Sequence, residues 1–133
     1  MKTRMLKVIS PEDKEAVQTA GKILRRGGLV AIPTETVYGL AANALNGTAV
    51  AGIFKAKGRP QDNPLIVHVA SMEEIPSLTA DFPPQAYALA QAYWPGPLTI
   101  IVKKSALIPD EVSAGLDTVG IRMPSHPAAR ALI

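Results

Sequence analysis

A strand that cannot extend and a helix that is made to stop frame the stretch from Gly27 to Pro64, which reads GGLVAIPTETVYGL, a helix-like segment, and then KAKGRPQDNPL. Leu29 to Ile32 is a short apolar run stopped by Pro33, after which the chain opens into Thr34, Glu35, Thr36, Val37 and Tyr38. Polar side-chain chemistry therefore stands at the end of a buried strand. Downstream, Lys55, Lys57 and Arg59 cluster, and Gly58 and Pro60 break the helix where the last two cations emerge. Such a break aims fixed positive charge into a loop, where a phosphate can reach it.

Strands and helices alternate along the rest of the chain. Ser10-Pro11-Glu12-Asp13 reads as a helix start, with a capping hydroxyl, a proline for the first helical position and acids near the positive end of the helix dipole. Val17, Ala20, Ile23 and Leu24 follow at helical spacing, and Gly27-Gly28 ends that segment. A second helix is predicted from Thr48 to Lys57, with Val50, Ile53 and Phe54 on one side. LIVHVA, Leu65 to Ala70, is a strand apolar enough to be covered on both faces. Ser71 to Glu74 has capping-box spacing, Asp81 to Pro84 is a turn, and Gln85 to Trp94 is a helix stopped by Pro95-Gly96-Pro97. Leu98 to Lys103 and Thr118 to Met123 are further strands, separated by a loop around Pro109 to Gly115. Ser125-His126-Pro127 caps a last helix from Ala128 to Ile133. The alternation predicts one α/β domain over residues 1–133, with a mixed, mostly parallel twisted sheet and flanking helices.

Bulk properties remove several function classes. With no cysteine, disulfides, thiolate nucleophiles and sulfur-ligated metals are excluded together. Apolar runs of only about five residues fall far short of the roughly 20 that a spanning helix needs, so a cytoplasmic protein without a membrane role is expected. A net charge of +3 permits an anionic partner without demanding one.

The nucleotide fingerprints GxxxxGK[ST] and GxGxxG are absent, so any phosphate has to be met by side-chain cations, for which Lys57 and Arg59 are the best-placed pair. The competing reading makes them a solvated helix end favoured by the dipole. Thr34, Thr36 and Tyr38 either hydrogen-bond a small polar ligand at a strand end or are ordinary turn residues. His68, between Val67 and Val69, is either a hydrogen-bonded core residue or an imidazole presented on one sheet face with Ile66 and Ala70. Arg122, between Ile121 and Met123, must be paired if buried: with an anionic ligand, or with Asp117 or Glu35 when no ligand is bound. Thr118 and Ser125 bracket the same strand and can assist. Trp94 reads as a structural plug. Two histidines without an acidic cluster give no transition-metal site from the protein, while magnesium carried by a nucleotide is compatible. Neither a nucleophilic triad nor a glycosidase carboxylate pair is legible.

PTETVYGL, KAKGRPQDNPLIVHV, YWPGPLTIIVKK and SAGLDTVGIRMPSHP, in that order, resemble the YrdC-like domain of threonylcarbamoyl-AMP synthases, from about Ser10 to the end of the chain. The resemblance implies a nucleotidyltransferase that joins L-threonine, bicarbonate and ATP into threonylcarbamoyl-adenylate with release of pyrophosphate, in a concave basic cavity. It implies Lys57 and Arg59 as catalytic residues on the triphosphate, with Asn63 and Thr118 also at the nucleotide. Thr34, Tyr38 and His68 are implied around threonine, and Arg122 on its carboxylate. Mg2+ comes with ATP rather than from protein ligands. The product would feed a tRNA threonylcarbamoyl transferase machinery, which brings tRNA or double-stranded RNA into view as a partner.

The family pattern continues past Ile133 with a strand and a Ser-Ala-Asn segment. The chain is therefore expected to hold the N-terminal two thirds of a domain truncated at its C-terminus, with weakened activity or with completion by a homodimer across an open sheet edge. Two other readings stand beside it: an RNA-binding YrdC-like module or inactive fragment without synthase activity, and an adenylating domain for another small carbamoyl or acyl substrate.

Overall fold

The computed structural model describes residues 2–8, 10 and 12–133. Helix α1 spans Lys14–Arg25. It begins later than the sequence suggests, because polar side chains hold the preceding backbone in a turn: the Ser10 hydroxyl accepts from the Glu12 N–H at 3.2 Å and the Asp13 carboxylate from the Ser10 N–H at 3.1 Å. The expected proline at the first helical position, Pro11, lies outside the described residues. The helix ends with Gly28 N–H on the Ile23 carbonyl and Gly27 N–H on that of Leu24, the crossed pattern of a glycine stop.

Strand β1, Val30–Ile32, pairs antiparallel with β2, Gly39–Ala41, so that residues 33–38 form the loop of a hairpin. The sequence gives β2 no strand signal; three small or apolar residues led by a glycine become a strand only through the partner beside them. Helix α2, Gly47–Lys57, is capped by Asn46, whose side chain accepts from the Ala49 N–H at 3.1 Å, and it buries Ala49, Val50, Ile53 and Phe54.

Three further strands form a second sheet: β3, Ile66–His68, β4, Ile100–Lys103, and β5, Thr118–Arg122, in the order β3-β5-β4. The central β5 runs parallel to β3 and antiparallel to β4. The sheet is thus mixed and flanked by helices as expected, while of the three pairings in the two sheets one is parallel and two are antiparallel, which corrects the expected predominance of parallel pairing. The physical reason lies in the connections: the hairpin needs only a short loop, whereas the β3-to-β5 crossover has to carry helices.

Period-two alternation sorts the second sheet into two faces. Val67, Val69, Ile100, Val102, Val119, Ile121 and Met123 point into the core with Val50 and Phe54 of α2. The same core takes Ile75 and Leu78 of α3 (Ile75–Leu78), Ala86 and Ala90 of α4 (Pro84–Tyr93) and Val112 of α5 (Asp110–Ser113). The opposite face is open: Ile66 is 50% exposed and Ile101 71%. The expectation that Leu65 to Ala70 is covered on both faces is therefore wrong, because the core helices all lie against the Val67 and Val69 side. Gly120 sits in the middle of this open face, where a Cβ would stand 3.1 Å from Thr99 Cγ2 and 3.9 Å from both Ile66 and Ile101, so glycine keeps the centre of the sheet hollow.

The Ser71 capping box forms as expected, with Glu74 Oε2 accepting from the Ser71 N–H at 2.9 Å and the Ser71 hydroxyl accepting from the Glu73 N–H at 3.2 Å. The loop expected around Pro109 to Gly115 contains the short helix α5, and the chain leaves it through Ala114 and Gly115 with left-handed φ values of 53° and 78°. Helix α6, Pro127–Leu132, is capped by His126, whose Nδ1 accepts from the Ala128 N–H at 3.1 Å.

Ile121 is fully buried at the centre of the core face. Truncating it to alanine should cost about 2–5 kcal/mol of unfolding free energy, by lost transfer energy and the cavity left behind. Urea denaturation measures this, and a loss under about 1 kcal/mol would mean that the core does not close on β5.

Candidate functional site

The parallel β3/β5 pair carries candidate residues at both of its ends. At the end where the two strands begin, α2 is stopped by Gly58 at φ 63°, with Gly58 N–H on the Lys55 carbonyl and Arg59 N–H on the Phe54 carbonyl at 2.9 Å. Only glycine adopts that backbone cheaply, and the reversal turns Arg59 out of the helix beside Lys57 of the last turn. Lys57, Arg59 and Asn63 then line one cleft of about 370 Å³ with Asp62 and, beneath them, Ile53 and Phe54 of α2. All three are exposed. A helix C-terminus repels anions, so a phosphate held here depends on the two cations outweighing the dipole. Thr118 heads β5, two residues before the Gly120–Ile66 pair, at the same end of the sheet; it is half-buried and is not among the residues lining the cleft.

At the other end, His68 and Arg122 are register partners on neighbouring parallel strands, so their side chains leave from the same face, the one opposite the core. Arg122 is only 8% exposed. Its Nε donates to the Gly96 carbonyl at 3.1 Å, and Nη2 is ion-paired with Glu35 Oε1. The second Glu35 oxygen accepts from the Ser125 N–H at 3.0 Å. Of the two carboxylates the sequence offers Arg122, Glu35 is the one used; Asp117 lies beyond the far end of β5, where its carbonyl accepts from the Lys104 N–H.

The hairpin loop supplies Glu35 through a hydroxyl-braced turn. Thr34 Oγ1 donates to the Val37 carbonyl at 2.6 Å, accepts from the Thr36 N–H at 3.2 Å and lies 3.0 Å from Thr36 Oγ1. Thr34 therefore spends its donor inside the loop, while Tyr38 is 78% exposed. The Gly96 carbonyl belongs to the Trp94-Pro95-Gly96-Pro97 segment, anchored by Trp94 Nε1 on the Leu98 carbonyl at 2.8 Å and by Gly96 N–H on the Met123 carbonyl. That segment, legible in sequence only as a helix stop, orients Arg122. A backbone carbonyl leaves no residue-type signal that could have announced it.

His68 is half-buried, and among the described residues neither ring nitrogen makes a hydrogen bond. No described protein group therefore satisfies the His68 ring, as the reading of it as a hydrogen-bonded core histidine would require. Burial holds its pKa below 6.5, so the ring beside Arg122 is a neutral imidazole near pH 7. The structure thus joins His68, Arg122 and the Thr34 loop at one end of β3 and Lys57, Arg59 and Asn63 at the other. Three strand residues, about 10 Å, separate His68 from Leu65 at the edge of the cleft.

Residues 22–133 match the family model Sua5/YciO/YrdC, described as telomere recombination. The threonylcarbamoyl-AMP synthase of Pyrococcus abyssi (strain GE5 / Orsay) is 53% identical over 117 residues, covering 88% of this chain and 34% of that protein. That of Bacillus subtilis (strain 168) is 53% identical over 127 residues, covering 94% and 36%. Among solved structures, P. abyssi Sua5 complexed with L-threonine superposes with a TM-score of 0.89 at 50% identity, over 96% of this chain and 36% of that one. The chain spans about a third of the length of these relatives.

Because burial lowers the folded-state pKa of His68, the unfolded chain takes up a proton that the folded chain resists. The stability His68 provides as a neutral ring is therefore complete above about pH 6.5 and falls as the pH drops below that value. His68→Gln should flatten the loss of stability between about pH 7.5 and 5, read from urea midpoints at the two pH values; an unchanged slope would show that the ring does not resist protonation.

Proposed function

The chain belongs to the Sua5/YciO/YrdC family, and from that membership we propose that it serves threonylcarbamoyl-AMP synthesis, joining L-threonine, bicarbonate and ATP with release of pyrophosphate. The observation that carries the proposal is a division of labour along one strand pair: an exposed cation pair beside Asn63 at one end, and at the other a buried arginine already holding a carboxylate. Relatives that are named for this activity support the chemistry, and one of them has been solved with L-threonine.

In this reading Lys57 and Arg59 grip the triphosphate, with Asn63 and Thr118 contributing at the nucleotide. Arg122 takes the threonine carboxylate, and His68, Thr34 and Tyr38 border the rest of the amino acid. The amine of threonine adds to carbon dioxide with loss of a proton, or condenses with bicarbonate with loss of water, and the carbamate oxygen then attacks the α-phosphorus while the bond to pyrophosphate breaks. Both reactants are anions, so cancelling their repulsion is the first task of the site, and the two cations of the cleft do this while also steadying the charge that grows on pyrophosphate. Magnesium arrives on the nucleotide as part of that substrate. Positioning supplies the remainder, with no protein nucleophile.

The adenylate would then pass to a tRNA threonylcarbamoyl transferase machinery in the cytoplasm. Among the described residues no helix is long and apolar enough to cross a membrane. Strands β3 and β4 are the outer strands of the second sheet, and pairing of two copies along such an edge is the form of self-association that the proposal includes.

Pyrophosphate release from ATP, with magnesium and bicarbonate and with L-threonine present or replaced by serine or valine, tests the reading. Release should depend on threonine and fall at least about tenfold in Arg59→Ala, as expected when a charge-assisted contact to phosphate is lost. No threonine-dependent release from folded protein, together with salt-sensitive RNA binding, would replace the synthase reading with that of an RNA-binding module.

A further inference from the structure

Arg122 and Glu35 form a pair whose members are held very differently. The arginine is fixed: its strand lies between β3 and β4, its Nε donates to the buried Gly96 carbonyl, and its side chain is 10% exposed. Glu35 is an exposed residue whose side chain is 21% exposed, and it rides on a loop whose neighbours Val37 and Tyr38 face solvent. The other hydrogen bonds of residues 33–38 close within the loop, between Thr34, Thr36 and Val37. Beyond the β1/β2 pairing, the ties from Glu35 to Arg122 and to the Ser125 N–H are the polar links from this loop to the rest of the described residues.

A buried guanidinium cannot be left unpaired without a large penalty, yet it does not discriminate between one carboxylate and another. The arrangement around Glu35, one oxygen ion-paired with Arg122 Nη2 and the other accepting from the Ser125 amide, is a carboxylate subsite already filled. Resting on the proposed role of Arg122, we infer that Glu35 is the resident occupant of the substrate-carboxylate subsite, and that the incoming carboxylate replaces it on Arg122 and Ser125 N–H while the Glu35 side chain turns out toward solvent. The exchange conserves charge at the arginine, so the site is never left with an isolated buried cation. It also makes Glu35 a specificity residue: a ligand without a carboxylate has nothing with which to displace it. Glu35 shares its loop with Thr34 and Tyr38, so arrival of the carboxylate and placement of these two side chains become one event.

The test compares the unaltered chain with Glu35→Gln by thermal denaturation at matched ionic strength, adding L-threonine, sodium acetate, or threoninol, which lacks the carboxylate. The variant should melt lower than the parent. Threonine and acetate should raise its melting temperature by more than they raise the parent's, and threoninol should shift neither. Equal shifts in the two proteins, or weaker threonine binding to the variant, would overturn the inference by making Glu35 a support of the site rather than its occupant. Rescue by acetate without rescue by threonine would keep the carboxylate subsite and discard the threonine reading. Should Glu35→Gln fail to fold, the side-chain carboxyl 13C resonance of Glu35 in the unaltered protein gives the same answer. It should move to its solvent-exposed position on saturation with L-threonine or acetate, and an unmoved resonance under both would refute the exchange.

Discussion

The alternation of one strand sets almost everything else. In β5, Val119 and Ile121 face the core, with Met123 following them, while Gly120 and Arg122 face the opposite side. A shift of one residue would bury Arg122 among aliphatic side chains and expose Ile121. The core therefore fixes the register of β5, and that register delivers Arg122 next to His68 and leaves a hollow at Gly120. Stability and site are not separable here, because the same period-two pattern writes both.

The two ends of the β3/β5 pair use different physics to hold charge. At the cleft, cations stand at the C-terminal end of α2, exposed and well hydrated; each is weak alone and the pair is useful against a polyanion. At Arg122 the charge is buried, desolvated and paired with the Glu35 carboxylate. An exposed pair suits a triphosphate that brings its own counter-ion, and a buried single charge suits the fixed fork of one carboxylate. His68 extends the second logic, since a ring kept neutral by burial adds no repulsion beside the arginine.

Much of the fold was legible because it rests on local signals. Asn46 to Gly58 starts and stops α2 within a residue of the expected span, and the Ser71 capping box forms as its spacing requires. The strands β3, β4 and β5 lie inside the apolar runs that announced them. What failed was of another kind. Strand β2 exists only because β1 lies beside it, α5 replaces an expected loop, and the uncovered face of β3 follows from which side the helices pack. Of the site, Lys57 and Arg59 were legible as a pair because Gly58 and Pro60 enforce a local turn, Asn63 came only with the family resemblance, and Glu35 was foreseen as one of two partners for Arg122.

By itself the sequence determined what local stereochemistry can enforce: helix stops at glycine, short strands bounded by proline, no cysteine chemistry, and the need for any buried arginine to find an anion. Only the tertiary structure decided that His68 stands beside Arg122, that Glu35 rather than Asp117 fills its partner position, and that the Gly96 carbonyl and Ser125 amide complete the surroundings. These pairings join residues up to 90 positions apart, and they depend on strand register and on backbone groups that every residue type carries alike. No local residue signal therefore announces them, and the folded geometry selects among them.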